Sequence, residues 1–405
     1  MRSVAEHQRV VADLIRARPP VPVLLAEALG LVLADDVVAL RALPAFDNSA
    51  MDGYAVRAED IADATPEHPA ALPVAEDIPA GRTDGLALAP HTAHRIMTGA
   101  PLPTGATAVV PVEDTDGGVV TVAIRAPRPA GAHIRRAAED VAPGTTVLRA
   151  GQVVTPAMLG LASALGLAGL SVIPRQRVLV VSTGSELVEP GTPLKPGQIY
   201  ESNSIMLAAA VREAGAEVTA VATVDDDVAQ FTSLLGRYAA DTDLIITSGG
   251  VSAGAYEVVK DAFGRDGDLS SGEGVEFVKV AMQPGMPQGI GRVAGATIVT
   301  LPGNPVSALV SFEVFLRPAL RRAMSLPDPD RPLRHAILAE SLTSPSGKRQ
   351  FRRAFVDPAD GTVVSHGPPA SHHLRWLASA NGLLDIPEDV VEVSAGTEML
   401  VWDLT

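Results

Sequence analysis

The chain has 405 residues, 47% of them hydrophobic and 3% aromatic, with no cysteine and a formal net charge of -15. That length exceeds one ordinary core and implies several domains. The acidic balance and the scarcity of aromatic rings argue against a nucleic-acid groove; the absence of cysteine excludes disulfides, thiolate ligands and a cysteine nucleophile, and agrees with a reducing compartment.

The first stretch, "MRSVAEHQRVVADLIRARPP", carries a capping box from Ser3 to Glu6 ahead of an amphipathic helix and lacks the apolar core of a signal peptide, so a cytoplasmic location is expected. "FDNSAMDGYA", Phe46 to Ala55, is a polar loop in which Asp52-Gly53 alone fits a plain turn equally well. From Asn48 to about Ile124, short alternating runs between Pro and Gly turns predict a small β domain inserted into the chain, with "APRPAGA", Ala126 to Ala132, as its exit. The helical start and the helical region Thr155 to Leu165 flank this insertion and are expected to pack together. The uncharged run Val153 to Ile173 is long enough to cross a bilayer, but its punctuation predicts otherwise: a helix start at Thr155-Pro156, turns at Gly166 and Gly169, and a strand before Pro174.

From Arg175 to about Ala323 the pattern becomes strand, loop, helix, repeated. "RVLVVSTG", "EVTAVATV" and "DLIITSGG" read as strands, "NSIMLAAAVREAG" and "DVAQFTSLLGRYAAD" as helices. Such alternation predicts a doubly wound parallel sheet with its ligands at the carboxyl ends of the strands. After "SLPDPDRP", Ser325 to Pro332, the chain returns to short strands. The expected division is a helical and linker domain (1–45 plus 130–172), an inserted β domain (46–129), an α/β domain (173–325) and a C-terminal β domain (330–405).

Polar loops fall at the predicted strand ends: Ser182-Thr183-Gly184-Ser185-Glu186, Asp225-Asp226-Asp227, Ser248-Gly249-Gly250-Val251-Ser252, and Pro302-Gly303-Asn304-Pro305-Val306-Ser307. Glycines and hydroxyls there suit phosphate or another oxyanion. Glu186 with Asp225 or Asp226 suits a divalent cation such as Mg²⁺; the acidic run equally suits the cap of the following helix, and Asn304 suits a cap before Pro305. The chain has no P-loop, dinucleotide fingerprint, zinc-protease or α/β-hydrolase motif. His91 with His94, and His372 with His373, lack a nearby third ligand for a metal.

Seven segments in order, "FDNSAMDGYAVR", "RIMTGAPLPTGATAVVPVED", "VVSTGSELVEPG", "ESNSIML", "TSGGVSAG", "MQPGMPQGIG" and "LPGNPVSALVSF", resemble the molybdopterin molybdenumtransferase family, of the MoeA and gephyrin E-domain type, over nearly the whole chain. The resemblance implies a molybdopterin-binding α/β domain, an inserted β domain and a barrel-like C-terminal domain. It implies a cytoplasmic homodimer that takes adenylylated molybdopterin, cleaves its phosphoanhydride with Mg²⁺, inserts molybdenum from molybdate and releases AMP. Other molybdenum cofactor biosynthesis proteins and molybdoenzyme apoproteins are the implied partners, with no role for nucleic acid or membrane.

By the same resemblance Asp52, Glu186, Asp226, Glu257 and Lys279 carry the chemistry. Substrate contacts fall to Thr98, Arg135 (or the adjacent Arg136), Thr183, Gly184, Ser185, Asn203, Ser204, Ser248, Gly249, Gly250, Ser252, Gln283, Pro302, Gly303, Asn304 and Ser307, and the metal to Glu186, Asp225 and Asp226. The chain departs from the family in three places. His133, Arg135 and Ala138 stand in a segment usually written N-x-R-x-x-G-E-D, and Gly254, Ala255, Tyr256 and Glu257 stand where G-E-Y-D is common. Gln283-Pro284-Gly285-Met286-Pro287 replaces K-P-G-K-P, so Lys279 is expected to take over anion binding. Two rival readings are adenylylation of molybdopterin, the preceding step, and a non-catalytic scaffold for partner peptides.

Overall fold

The computed structural model describes residues 1–250, 258–263 and 274–405, which form two compact units: Met1–Val21 with Ile173–Thr405, and Pro22–Val172. Ser252 and Glu257 lie outside the described residues.

In the first unit, strands Glu217–Val224, Arg177–Thr183, Leu244–Ser248 and Ala296–Leu301 lie side by side in that order, all parallel. Pro287–Val293 and Gly274–Lys279 extend the sheet antiparallel at one edge, so it is mixed rather than wholly parallel. Side chains alternate across the strands. Val178, Val180 and Ile246 pack with Leu207 and Val211 of the helix Asn203–Glu213, whereas Leu179, Val181 and Ile245 pack with Phe231 and Leu235 of the helix Val228–Tyr238. Both faces are therefore covered, which is why the central strands read as unbroken apolar runs. Each such side chain fully buried contributes roughly 1.5–3 kcal/mol.

The helix Val4–Leu14 begins with the Ser3 hydroxyl accepting the Glu6 N–H, as the capping box predicts. Its partner differs from the expectation. Val4, Val11 and Ile15 join the core around Val178 and Leu320, and the helix lies against Phe312–Leu316 and Arg317–Ala323 of the α/β unit. The chain start is fastened there by the Arg2 N–H donating to Lys279 O and by Arg2 pairing with Glu276. The helix Pro156–Ala164 belongs to the other unit.

The C-terminal strands Arg349–Val356, Thr362–Ser365, Leu333–Leu338, Glu398–Asp403 and Gly382–Ile386 pair in sequence, and the last returns to the first. This closed five-strand barrel leaves no open edge. Ala336, Leu338, Val363, Leu384 and Val401 fill it. Met282–Gln283 pairs with Arg349 and Gln350, and so ties the barrel to the α/β sheet.

The second unit holds a five-stranded sheet in the order Ala108–Pro111, Gly53–Val56, Ala93–Ile96, Ala70–Ile78, Thr121–Ile124. Gly53 is required in it because a β-carbon there would stand 2.0 Å from Val110 O of the paired strand. Val153 to Ile173 divides into the helix Pro156–Ala164, capped by the Thr155 side chain, and the strand Gly169–Ile173. No described helix is long and apolar enough to cross a membrane.

Candidate functional site

The strand ends of the α/β unit open into a cavity of about 980 Å³, lined on one side by the predicted polar loops and on the other by Pro369 to His372 and Leu374, from the chain between barrel strands. Thr183, Gly184 and Glu186 enter from the first loop and Asp226 from the second. Ser248, Gly249 and Gly250 enter from the third, Pro302, Gly303, Asn304 and Ser307 from the fourth, and Gln283 with Met286 from the loop that joins the edge strand Gly274–Lys279 to Pro287–Val293.

The three acids at 225–227 divide their work. Asp227 is the N-cap of the helix Val228–Tyr238, accepting from Ala229 N and Gln230 N. Asp226 faces the cavity and is held by the Ser185 loop: its carboxylate accepts the Ser185 N–H at 3.3 Å, and its own N–H donates to the Ser185 hydroxyl at 3.0 Å. Asp225 is exposed and does not line the cavity. A β-carbon at Gly184 would lie 2.7 Å from Glu186 Oε2, so this carboxylate folds back over the glycine.

Glu186 and Asp226 thus present two carboxylates to one space, and no group of three or more His, Cys, Asp or Glu gathers among the described residues. That donor set fits a hard cation that keeps waters and completes its shell with phosphate oxygens, the habit of Mg²⁺.

Asn203 joins three loops. Its Nδ2 donates to Ser248 Oγ at 2.8 Å and to Gly303 O at 2.6 Å. The carbonyl can only accept, which fixes the amide orientation and turns Oδ1 away without a partner. Ser204 does not line the cavity; its N–H and hydroxyl both donate to Glu201, which also accepts from Ser182 Oγ at 2.7 Å. Glu201 is only 5% exposed yet borders the cavity, and sequence reasoning missed it because "YES" carries no sign of burial.

Two expected oxyanion donors are already engaged: Gly184 N–H donates to Val224 O and Gly249 N–H to Leu301 O. These glycines instead permit close approach; a β-carbon at Gly249, whose φ is +100°, would stand 2.7 Å from Thr183 O. Asn304 occupies the N-cap position of Pro305–Ser311 but makes no capping bond: the Val306 N–H donates to Ser371 O instead, and Asn304 Nδ2 donates to Ser371 Oγ at 2.9 Å. Gln283 accepts from Gln350 Nε2. Lys279 is exposed, sits opposite Pro287 in the edge hairpin and does not line the cavity.

Asp52, Thr98 and Arg135 belong to the other unit. Asp52 Oδ1 accepts both the Thr98 N–H at 2.6 Å and the Thr98 hydroxyl at 2.7 Å. These two bonds, the backbone one foremost, hold its carboxyl below the usual aspartate range. Asp47 accepts from Ala137 N and Arg136 Nη1, so Arg136 is engaged while Arg135 makes no ion pair among the described residues.

Family models match almost the whole chain: the MoeA N-terminal region (domain I and II) at 2–166, a probable molybdopterin binding domain at 179–322 and the MoeA C-terminal region (domain IV) at 335–404. The chain is 75% identical to molybdopterin molybdenumtransferase 2 of Mycobacterium tuberculosis over the full length of both, and 37% identical to molybdopterin molybdenumtransferase 1 of that organism over 98% of this chain and 97% of the other. Its structure resembles two structures of the molybdopterin biosynthesis MoeA protein of Pyrococcus horikoshii, each 28% identical, with TM-scores of 0.77 and 0.68; each covers all of this chain, which in turn covers 99% and 100% of theirs. The chain belongs to the MoeA family.

Proposed function

We propose that this chain is a molybdopterin molybdenumtransferase: it takes adenylylated molybdopterin and molybdate, inserts the metal and releases AMP. The observation that carries the reading is the 980 Å³ cavity in which Glu186, Asp226, Ser248, Asn203 and Asn304 converge from separate loops, large enough for a pterin nucleotide and polar enough to orient one.

In this reading Glu186 and Asp226 hold Mg²⁺, which when bound neutralises charge on the phosphoanhydride oxygens. Ser185 keeps Asp226 aimed at that position through its two hydrogen bonds. Asn203 locks the Ser248 and Gly303 loops in mutual register, so the groups that touch substrate are set before it arrives. Asp52, Thr98 and Arg135 are assigned to the same reaction by their motifs, as are Glu257 and Ser252. Homodimerisation, a cytoplasmic location and hand-over to other cofactor-biosynthesis proteins or molybdoenzyme apoproteins complete the proposal.

The test is incubation of purified protein with adenylylated molybdopterin, Mg²⁺ and molybdate while AMP is followed. Glu186→Ala and Asp226→Ala should each abolish AMP release with nearly unchanged melting, since both side chains are exposed. Consumption of ATP in place of AMP release would favour the adenylylation step instead.

A further inference from the structure

One lip of the cavity is made of the consecutive residues Gln283 to Pro287, in the loop that joins Gly274–Lys279 to Pro287–Val293. The ladder of this hairpin stops where the loop begins. Its last pair is Lys279 with Pro287, and proline has no N–H to give to that pair. The placement of the lip therefore depends on what holds the strap between them, Val280 to Met282.

The strap is gripped from two sides. Ala281 N–H donates to Arg2 O at 2.8 Å, and Ala281 O accepts the Arg349 N–H of the barrel strand at 3.0 Å. Arg2 N–H donates to Lys279 O at 2.9 Å, so Arg2 makes a short parallel bridge centred on Val280. Val280 N–H in turn reaches across the loop to Met286 O at 2.7 Å, which carries the grip to the lip itself. Val280 and Met282 are fully buried, in the core that also takes Val4 and Val11.

The Arg2 side chain binds the same edge as its backbone. Nη2 donates to both Glu276 oxygens, at 2.8 and 3.0 Å, and Nη1 stands 3.5 Å from Nδ1 of buried His7. Glu276 belongs to the strand that ends at Lys279, so one residue clasps the hairpin at two points along it. Arg2 also directly precedes Ser3, the cap of the helix Val4–Leu14, and that helix packs on the α/β core. We infer that Arg2 is a positioning residue of the cavity: it fixes the strap Val280 to Met282, and the strap sets the lip Gln283 to Met286 against which substrate binds. The inference rests on the function proposed above for the substrate that the lip meets. Arg2 itself does not line the cavity and acts only through this loop.

The experiment compares full-length wild type with Arg2→Lys, Arg2→Glu, Glu276→Arg and the double variant Arg2→Glu, Glu276→Arg. Amide hydrogen exchange is read at Val280 and Ala281, with the central strand Leu244–Ser248 as the internal control. Each single reversal sets like charges face to face. Exchange at Val280 and Ala281 should then quicken about tenfold or more, the factor of one charge-assisted hydrogen bond, while the control strand keeps its rate. The KM for adenylylated molybdopterin should rise with it at unaltered kcat, the mark of lost binding rather than lost chemistry. Arg2→Lys and the double variant should bring both readings most of the way back to wild type. Unchanged exchange at Val280 and Ala281, a quickening shared equally by the central strand, or faster exchange with an unchanged KM would each overturn the proposal. A wild type that releases no AMP would sink the proposed reaction, and the exchange readings alone would then decide whether Arg2 sets the lip.

Discussion

Asp52 and Thr98 close a two-point clasp: a single oxygen, Oδ1, accepts the Thr98 N–H at 2.6 Å and its hydroxyl at 2.7 Å. Two residues far apart in sequence are thereby fixed to each other, and the carboxylate is biased toward its ionised form.

The clasp predicts a titration. The Thr98 N–H is the larger cause of the lowered Asp52 carboxyl, the hydroxyl the smaller. In Thr98→Ala the carboxyl should move upward yet stay below the ordinary aspartate range, because the N–H remains. A folded-state value below the unfolded one means that the clasp stabilises the chain above the unfolded value, and that this contribution fades as pH falls through the folded one. Carboxyl-carbon NMR titration of both proteins reads it directly; an Asp52 midpoint unmoved by the substitution would remove the hydroxyl from the account.

Glu201 predicts a stability effect. It receives Ser182 Oγ, Ser204 N and Ser204 Oγ while only 5% exposed. Glu201→Ala strands these donors, and hydrogen bonds to charged groups contribute about 1.5–3 kcal/mol each. A loss of about 3 kcal/mol or more in urea denaturation is expected. Glu201→Gln, which keeps an acceptor oxygen, should lose clearly less; equal losses would mean that packing rather than acceptance dominates.

Much of this arrangement was legible beforehand, and the parts that were not have physical reasons. "RVLVVSTG" and "DLIITSGG" appear as Arg177–Thr183 and Leu244–Ser248, because strands buried on both faces leave a continuous apolar run, and "EVTAVATV" appears as the partly exposed edge strand Glu217–Val224. Their polar ends meet in one cavity because parallel strands end on the same rim. The sequence does not say which of three adjacent acids caps a helix, since Asp225, Asp226 and Asp227 differ only in position; backbone direction assigns Asp227 to the cap and Asp226 to the cavity. Nor does it show that Val4, Val11 and Ile15 choose the α/β core, because an amphipathic stripe specifies burial and not a partner. His372 escaped notice as a cavity residue because its approach depends on how the barrel closes, through pairings distant in the chain.

The pair Arg331 and Glu313 gives a third test. Arg331 donates to Glu313 through Nε at 2.8 Å and Nη2 at 3.1 Å, with the two residues 9% and 4% exposed, and it also reaches Glu213. Removing Glu313 leaves buried Arg331 with Glu213 alone and takes from buried Arg317 its neighbouring carboxylate, a loss toward the lower end of the about 3–5 kcal/mol that breaking a buried pair costs. Glu313→Leu should show that loss in chemical denaturation, and the double variant Glu313→Leu, Arg331→Leu should recover part of it. A double variant no more stable than the sum of the two single losses would mean that the pair does not act as a unit.

His7 gives the last. It is fully buried, its ring meets Phe315 edge-on at 4.7 Å between centroids, and its Nε2 has no partner. Nδ1 lies 3.5 Å from Arg2 Nη1, and Arg2 is itself paired with Glu276. Burial first, and the nearby Arg2 charge second, push this imidazole down to about 4. The unfolded chain titrates near the ordinary histidine value of about 6.5, so between these limits the unfolded state binds more protons and acid favours unfolding. The sign follows: His7 leaves stability untouched above about pH 6.5 and lowers it as pH falls toward 4, by about 1.4 kcal/mol per pH unit at most. Urea denaturation at about pH 7 and 5 should therefore show a fall of order 2 kcal/mol in wild type that is largely absent in His7→Leu, which keeps an apolar body against Phe315. An equal fall in both proteins would place the acid sensitivity in other groups and would mean that His7 already accepts a proton in the folded chain.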